Sequence, residues 1–319
     1  MTIQDLMGYE LVEKIKNKEI SIQEIIQSYL DRIKETDHLI HSFVYVSKNE
    51  ALKKAKKLDN NLNKGKSIGK LFGLPIAVKD VISIKDSPTT CCSKILEGYY
   101  PPYNATVIER LIEQEGGICI GRTNMDEFAM GSSTETSCYG PSYNPWDLER
   151  VPGGSSGGSG SCIIAGQSPF SLGSDTGGSI RSPASYCGVV GLKPTYGRIS
   201  RYGLIAYANS LDVIGPLARC VYDCALLLEI MAGCDPLDST TVEVKVDSYT
   251  NELKKSIKNE RIGIPKEFFG EGIENSVKDA INKAIDILKS LGAKIVELSL
   301  PNIEYTIPTY YLIAMSEAS

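Results

Sequence analysis

A chain of 319 residues with 42% apolar side chains and a formal charge of -5 can bury a large core and carries no basic excess for gripping nucleic acid. Its nine cysteines are odd in number and lack both a C-x-x-C pair and nearby histidines, which argues against zinc or a disulfide framework and fits a reducing cytoplasm. No stretch is long and apolar enough to cross a membrane, and the charged, amphipathic start MTIQDLMGYELVEKIKNKE has neither signal-peptide nor transit-peptide character.

Ser21 and Glu24 form a capping-box pattern ahead of Ile22, Ile25, Ile26, Tyr29, Leu30 and Ile33, which share one helical face. A second charged amphipathic helix is predicted from 49 to about 62, followed by the polar loop NNLNKGKSIGK. Leu74-Pro-Ile-Ala-Val78 then reads as a buried strand that ends at Lys79. Helix and strand recur over 106–115 and 117–121. Between 153 and 203 glycine and serine crowd a stretch that also holds the apolar pieces CIIAG and PFSLG, so packed elements and tight turns must alternate there. The rhythm resumes with helices over 221–232 and 275–291, the second closing at Gly292 before an alternating strand at 294–300. No repeat or low-complexity linker divides the chain. The pattern predicts one α/β domain over 1–319, with N-terminal helices to about 65, a core over about 66–235 and a remaining α/β part from about 236. The last residues, Met315-Ser-Glu-Ala-Ser319, read as the interior of a helix with no capping glycine or polar tail, as in a fragment of a longer protein.

Three readings compete for the stretches Gly153-Gly-Ser-Ser-Gly-Gly-Ser-Gly160 and Gly173-Ser-Asp-Thr-Gly-Gly-Ser-Ile-Arg181. A phosphate-cradling loop fails, because G-x-x-x-x-G-K-[ST] is missing and the dinucleotide fingerprint after Gly158 meets Ile163 where it needs glycine. The only Gly-Lys-Ser, at 65–67, has Asn60 in place of its first glycine. Turn-forming or linker glycines are the ordinary reading of such loops, yet a linker is polar throughout and these stretches are joined by apolar segments. The third reading is a nucleophile seat: Thr176-Gly-Gly-Ser179 sets a serine on a tight turn where glycines let several N–H groups converge on a developing oxyanion.

A serine nucleophile needs a base, and the only histidines, His38 and His41, lie early in the chain at a polar junction, where solvated side chains are the ordinary expectation. No histidine follows residue 41, which excludes a G-x-S-x-G elbow with a downstream histidine. The base must be a lysine or a carboxylate. Lys79 follows an apolar run, and burial there would favour its neutral amine; on spacing alone, an ordinary Lys79–Asp80 strand-end pair is an equal alternative.

The stretch from 153 to 203 resembles the amidase signature family. GGSSGGS at 153–159, GSDTGGSIR at 173–181, Pro183-Ala184, Cys187-Gly188, Gly191-Leu-Lys-Pro-Thr195 and Gly197 fall in the family's order and spacing, and Gly73-Leu-Pro-Ile-Ala-Val-Lys-Asp80 resembles its catalytic-lysine segment. The resemblance covers essentially the whole chain. It implies a mixed, twisted sheet flanked by helices on both faces, with Lys79 as base, Ser155 as bridging serine, Ser179 as nucleophile and Ser156 in support. N–H groups around Thr176, Gly177 and Gly178 would form the oxyanion hole. In the family Ser155 follows a cis peptide bond, which aims its hydroxyl between Lys79 and Ser179.

Within the family, Asn124-Met-Asp-Glu-Phe-Ala-Met-Gly-Ser-Ser-Thr-Glu135 is similar to the glutamine-hydrolysing A subunits of tRNA-dependent amidotransferases, as are Tyr143-Asn-Pro-Trp146, Arg150-Val-Pro-Gly-Gly154 and the closing Tyr310-Tyr311 with Ser316-Glu-Ala-Ser319. The similarity implies Met130, Ser132 and Tyr310 as glutamine-contacting residues; the family's matching arginine and aspartate positions are absent from this sequence. It also implies an acyl-enzyme on Ser179 and no cofactor in this chain. Ammonia would pass to a partner, the B subunit, which uses ATP and Mg2+ to amidate Glu-tRNA(Gln), or Asp-tRNA(Asn). A small C subunit would hold the pair together in a heterotrimeric ligase. A stand-alone amidase sharing the catalytic residues and a non-catalytic scaffold are the alternatives.

Overall fold

The first helices form where their capping chemistry starts them. In a computed structural model that describes residues 2–319, α1 (Gly8–Lys16) and α2 (Ile22–Ile40) are followed by β1 (Phe43–Val46) and α3 (Lys48–Asn63). The capping box is present: the Glu24 amide donates to Ser21 Oγ at 3.2 Å, and the Ser21 amide donates to the Glu24 carboxylate at 2.8 Å. The amides of Ile22 and Gln23 donate to Asp59, so a carboxylate from α3 satisfies two more N–H groups and complements the α2 dipole. Ile22, Ile25, Ile26, Tyr29, Leu30 and Ile33 are all buried. His38 and His41 are both exposed, and His41 closes α2 in the left-handed conformation.

The core is a six-stranded mixed sheet. β2 (Pro75–Lys79) leads through α4 (Thr106–Ile108), continued as a π-helix over Glu109–Gln114, to β3 (Ile118–Thr123). The glycine and serine region supplies α5 (Gly157–Ile164), β4 (Phe170–Asp175), α6 (Arg181–Cys187) and the short β5 (Val190–Gly191), before β6 (Val213–Ala218) and α7 (Val221–Met231). The strand order is β1-β3-β2-β4-β6-β5. β2 runs parallel to both β3 and β4, whereas β1, β5 and β6 join antiparallel. Every residue of β2, β4 and β6 is buried, which explains why these strands read as unbroken runs and not as alternating patterns. Because β2 and β4 are parallel neighbours, their C-terminal residues, Lys79 and Asp175, emerge at the same edge of the sheet.

Within the glycine- and serine-rich stretch, where packed elements and tight turns are expected to alternate, 157–164 is a packed helix, buried up to Ile163. A Cβ on Gly158 would collide with the backbone of Ser42 and Asn124, so glycine is what allows α5 to lie so close. α5 packs on β2, β3 and β4, α3 on β3, and α7 on β6.

Contacts sort the chain into two compact units, one ending at Thr250, within the single turn α8 (Tyr249–Glu252), and one spanning Asn251–Glu317. The sequence pattern places the start of its last α/β part near 236; the contacts place the break at 250. The second unit contains β7 (Arg261–Pro265), α9 (Asn275–Ser290) and β8 (Lys294–Leu298), whose strands pair in parallel, followed by α10 (Thr306–Ala318). Among the described residues, no helix is long and apolar enough to cross a membrane.

Asp223, buried in the first turn of α7, accepts from the amides of Gly8 and Tyr9 at 2.8 and 3.0 Å and so caps α1 across 215 and 214 positions of sequence. Replacing it by alanine leaves one buried and one half-buried donor without an acceptor. Asp223→Ala should cost about 1–3 kcal/mol in urea unfolding, and a loss within about 0.3 kcal/mol would show that this cap does not stabilise the fold.

Candidate active site

Lys79 is the last residue of β2 and has no exposed surface. Its Nζ lies 2.7 Å from Ser155 Oγ, 2.9 Å from Ser174 Oγ and 3.4 Å from the Ser174 carbonyl oxygen. Burial is the main influence on its proton affinity and pulls the pKa down to about 7, against the opposing pull of Asp126, Asp175, Asp212 and Cys92. A neutral amine has two N–H donors and one lone pair. The two Ser174 oxygens can take the donors, which leaves the lone pair to face the Ser155 hydroxyl.

The Lys79–Asp80 pair is not formed. Neighbouring residues of an extended chain point to opposite sides, and Asp80 turns instead to Arg122, with which it makes a buried ion pair at 3.3 Å. Its other carboxylate oxygen accepts from the amide and hydroxyl of Thr90 at 3.0 and 2.5 Å.

Ser155 lies at the entrance to α5, fully buried, after a cis Gly154–Ser155 peptide. Ser156, expected in a supporting role, ties two strands of the site together. Its amide donates to the Ser179 carbonyl at 3.1 Å, and its hydroxyl donates to the Ser174 carbonyl at 3.1 Å. This places the Ser155–Ser156 segment directly against the segment that carries Ser179.

Ser179 stands on the turn between β4 and α6, and that turn is wound around Asp175. The Asp175 carboxylate accepts from the amides of Gly178, Ile180 and Arg181 at 2.8, 3.1 and 3.3 Å, and receives the Arg181 guanidinium at 3.1 and 3.0 Å. Burial works to raise the Asp175 pKa, but the Arg181 side chain and the Ile180 and Gly178 amides outweigh it and hold the carboxyl below its usual range. Gly178 has a φ of 128°, a conformation that suits glycine.

Two details differ from the expected relay. Ser155 Oγ and Ser179 Oγ are not hydrogen-bonded to each other, so the second step requires the Ser179 hydroxyl to turn toward Ser155. Gly178, expected among the oxyanion donors, gives its N–H to Asp175. No hydrogen bond among the described residues engages the N–H of Thr176, of Gly177 or of Ser179 itself, so these three are the unclaimed donors on the turn. Thr176 is held through its hydroxyl, which donates to Asp212 at 2.6 Å. Burial raises the Asp212 pKa, and the bond from Thr176 opposes the rise.

Met130 and Ser132 are exposed on the loop that lies over Gly154 and Ser155. Tyr310 belongs to the second unit, on α10, where its ring meets that of Tyr311 at 5.2 Å. Among the described residues no three His, Cys, Asp or Glu side chains converge in a metal-binding arrangement.

Sequence reasoning passed over Ser174, Asp175, Asp126 and Asp212. Ser174 and Asp175 sit inside the GSDTGGSIR stretch and Asp126 inside NMDEFAM, so their positions were visible but not their partners. Asp212 carries no sequence signal, because its contact with Thr176 depends on the pairing of β6 with β4.

Comparison with known proteins fits this geometry. The family model described as Amidase matches residues 24–319. The A subunit of glutamyl-tRNA(Gln) amidotransferase from Caldanaerobacter subterraneus subsp. tengcongensis is 53% identical over 319 residues, which is 100% of this chain and 65% of that relative. The crystal structure of the glutamyl-tRNA(Gln) amidotransferase A subunit from Thermotoga maritima superposes with a TM-score of 0.89 at 40% identity, covering 100% of this chain and 66% of that one. Native peptide amidase from Stenotrophomonas maltophilia gives a TM-score of 0.89 at 29% identity, over 98% of this chain and 66% of that one. The chain thus spans about 65% of the length of the curated relatives it matches. With a buried lysine against a serine hydroxyl, the Ser179 turn beside it, and this extent of similarity, the chain belongs to the amidase family.

Proposed function

We propose that this chain hydrolyses the side-chain amide of glutamine as the A subunit of a tRNA-dependent amidotransferase. The observation that carries the chemistry is the buried Lys79 amine 2.7 Å from Ser155 Oγ, in a site that contains no histidine. Neutral Lys79 takes the Ser155 proton while Ser155 takes that of Ser179, and Ser179 Oγ attacks the amide carbon. On this reading the unclaimed N–H groups of Thr176, Gly177 and Ser179 stabilise the oxyanion. Collapse of the tetrahedral intermediate breaks the C–N bond, and the relay run backwards protonates the departing nitrogen, so ammonia leaves and a γ-glutamyl ester remains on Ser179. Water, activated by the same relay, attacks the ester and frees glutamate.

The substrate and the partners rest on similarity to the A subunits of glutamyl-tRNA(Gln) amidotransferases. On this reading the ammonia passes to a B subunit, which activates the carboxylate on Glu-tRNA(Gln) or Asp-tRNA(Asn) with ATP and Mg2+, and the heterotrimer is completed by a small C subunit. The B subunit mainly grips the tRNA, and this acidic chain needs no cofactor. The compartment is the cytoplasm, where nine free thiols stay reduced. On the same similarity, Met130 and Ser132 contact glutamine. A stand-alone amidase is the second reading, favoured by the shared fold of the peptide amidase.

Ammonia release from glutamine, measured with and without the candidate partner subunits, is the direct test. Release should be stimulated by the partners with ATP and mischarged tRNA, and Ser179→Ala should lower it by at least about a thousandfold. Turnover of simple amides without glutamine turnover would establish the stand-alone amidase, and retained turnover in Ser179→Ala would move the nucleophile elsewhere.

The base must be neutral to act, so the rate should rise with pH through about 7 as Lys79 loses its proton. Lys79→Met should abolish that limb and lower the rate by about 10²–10⁴. A variant with the wild-type rate and the same limb would rule the lysine out as base.

A further inference from the structure

The loop that carries Met130 and Ser132 holds an unusual backbone. Phe128, Ala129 and Thr134 all have left-handed φ values, at 49°, 63° and 66°. Residues with a Cβ stay in that region only where the surrounding contacts over-determine them. Here the contacts converge on Asp126, which has no exposed surface. One of its carboxylate oxygens accepts from the Thr134 amide at 2.8 Å and the other from the Thr136 hydroxyl at 3.0 Å. Its own backbone spans to the relay: the Asp126 amide donates to the Ser155 carbonyl at 3.3 Å, and its carbonyl accepts from the Ala129 amide at 2.9 Å.

A second clamp closes the far end of the loop. Thr134 Oγ1 donates to the Gly153 carbonyl at 2.9 Å and accepts from the Gly157 amide at 3.1 Å. The packing is tight enough that a Cβ on Gly154 would overlap the Asp126 carboxylate, and one on Gly131 would crowd the Ser155 amide. The loop and the Gly154–Ser155 peptide are therefore one packed unit with Asp126 between them.

The titratable groups facing Lys79 are Asp126, Asp175, Asp212 and Cys92, each from a different segment. Asp175 is paired with Arg181, and Asp212 is saturated by Thr176 and the amides of Tyr207 and Ala208. Asp126 makes no ion pair among the described residues; its carboxylate is held by the Thr134 amide and by the amide and hydroxyl of Thr136, and it is the foremost of the carboxylates that oppose the fall in the Lys79 proton affinity.

We propose that Asp126 is a positioning residue for the amide-hydrolysing reaction, seating the 130–134 loop on the Gly154–Ser155 peptide so that one buried carboxylate fixes both the substrate-facing wall and the bridging serine. The inference rests on the hydrolase reading above. Asparagine could keep one acceptor for Thr134 but not the charge, and alanine keeps neither.

Two variants separate the two roles in the 319-residue chain, with hydrogen–deuterium exchange of 126–136 and the pH dependence of fluorophosphonate labelling at Ser179 as readouts. Asp126→Ala should speed exchange across 129–136 by about tenfold, the fold-change expected when a buried hydrogen bond is lost, and should slow labelling. Asp126→Asn should recover part of the protection yet lower the pH midpoint of labelling, because removing an anion that faces Lys79 favours the neutral amine. Wild-type exchange in Asp126→Ala would overturn the inference. So would a wild-type pH midpoint in Asp126→Asn, which would leave Asp126 a purely structural anchor; this variant also decides the matter if Asp126→Ala does not fold. Failure of the wild-type chain to take label at any pH would overturn the hydrolase reading instead, while the exchange data still decide whether Asp126 seats the loop.

Discussion

The burial of one amine is the constraint on which the site depends. A charged lysine held in the interior would cost several kcal/mol, and the protein meets that cost by letting Lys79 approach neutrality instead of pairing it with a dedicated carboxylate. The carboxylates of Asp126, Asp175 and Asp212 stop the shift near 7. A solvent-exposed lysine would stay protonated and accept nothing at neutral pH, whereas one buried without nearby anions would be neutral but a weak base. The position between those extremes matches a general base to the pH at which it works.

That environment requires backbone where side chains would ordinarily be. Glycines in α5 let the helix approach the backbone at Ser42 and Asn124, although each costs helix stability of about 1 kcal/mol relative to alanine. The serines between them are not free hydroxyls. Ser159 donates to the Leu172 carbonyl at 2.9 Å and shares a 2.7 Å bond with Thr123, and Ser161 donates to the Tyr143 carbonyl at 3.1 Å. Small polar residues in a helix buried on all sides thus serve as spacers that carry their own hydrogen bonds to the sheet.

Much of this was legible along the chain, for identifiable reasons. The α2 capping box, the buried face from Ile22 to Ile33 and the strand ending at Lys79 depend on contacts within a few residues or on a local apolar pattern. The missing downstream histidine narrowed the base to a lysine or a carboxylate by chemistry alone. Composition left one point open: the glycine and serine content over 157–164 fits a packed element or a turn, and the proximity of Ser42 and Asn124 explains why a glycine-rich helix fills it. The choice between Asp80 as partner of Lys79 and a free amine was likewise open until Arg122, on β3, was seen to claim Asp80.

The sequence by itself determined the inventory: an α/β chain, a serine on the glycine turn Thr176-Gly-Gly-Ser179, and a lysine at the end of an apolar strand. Tertiary structure decided the proton affinities and the geometry. Parallel pairing of β2 with β4 brings Lys79 and Ser174 together across 95 residues, and antiparallel pairing of β4 with β6 delivers Asp212 to Thr176. It also gave the Gly178 amide to Asp175, leaving the N–H groups of Thr176, Gly177 and Ser179 unclaimed on the turn. A pKa depends on desolvation and on charges within several ångströms, and an oxyanion donor on which N–H groups remain unclaimed, so neither is a property of residue order.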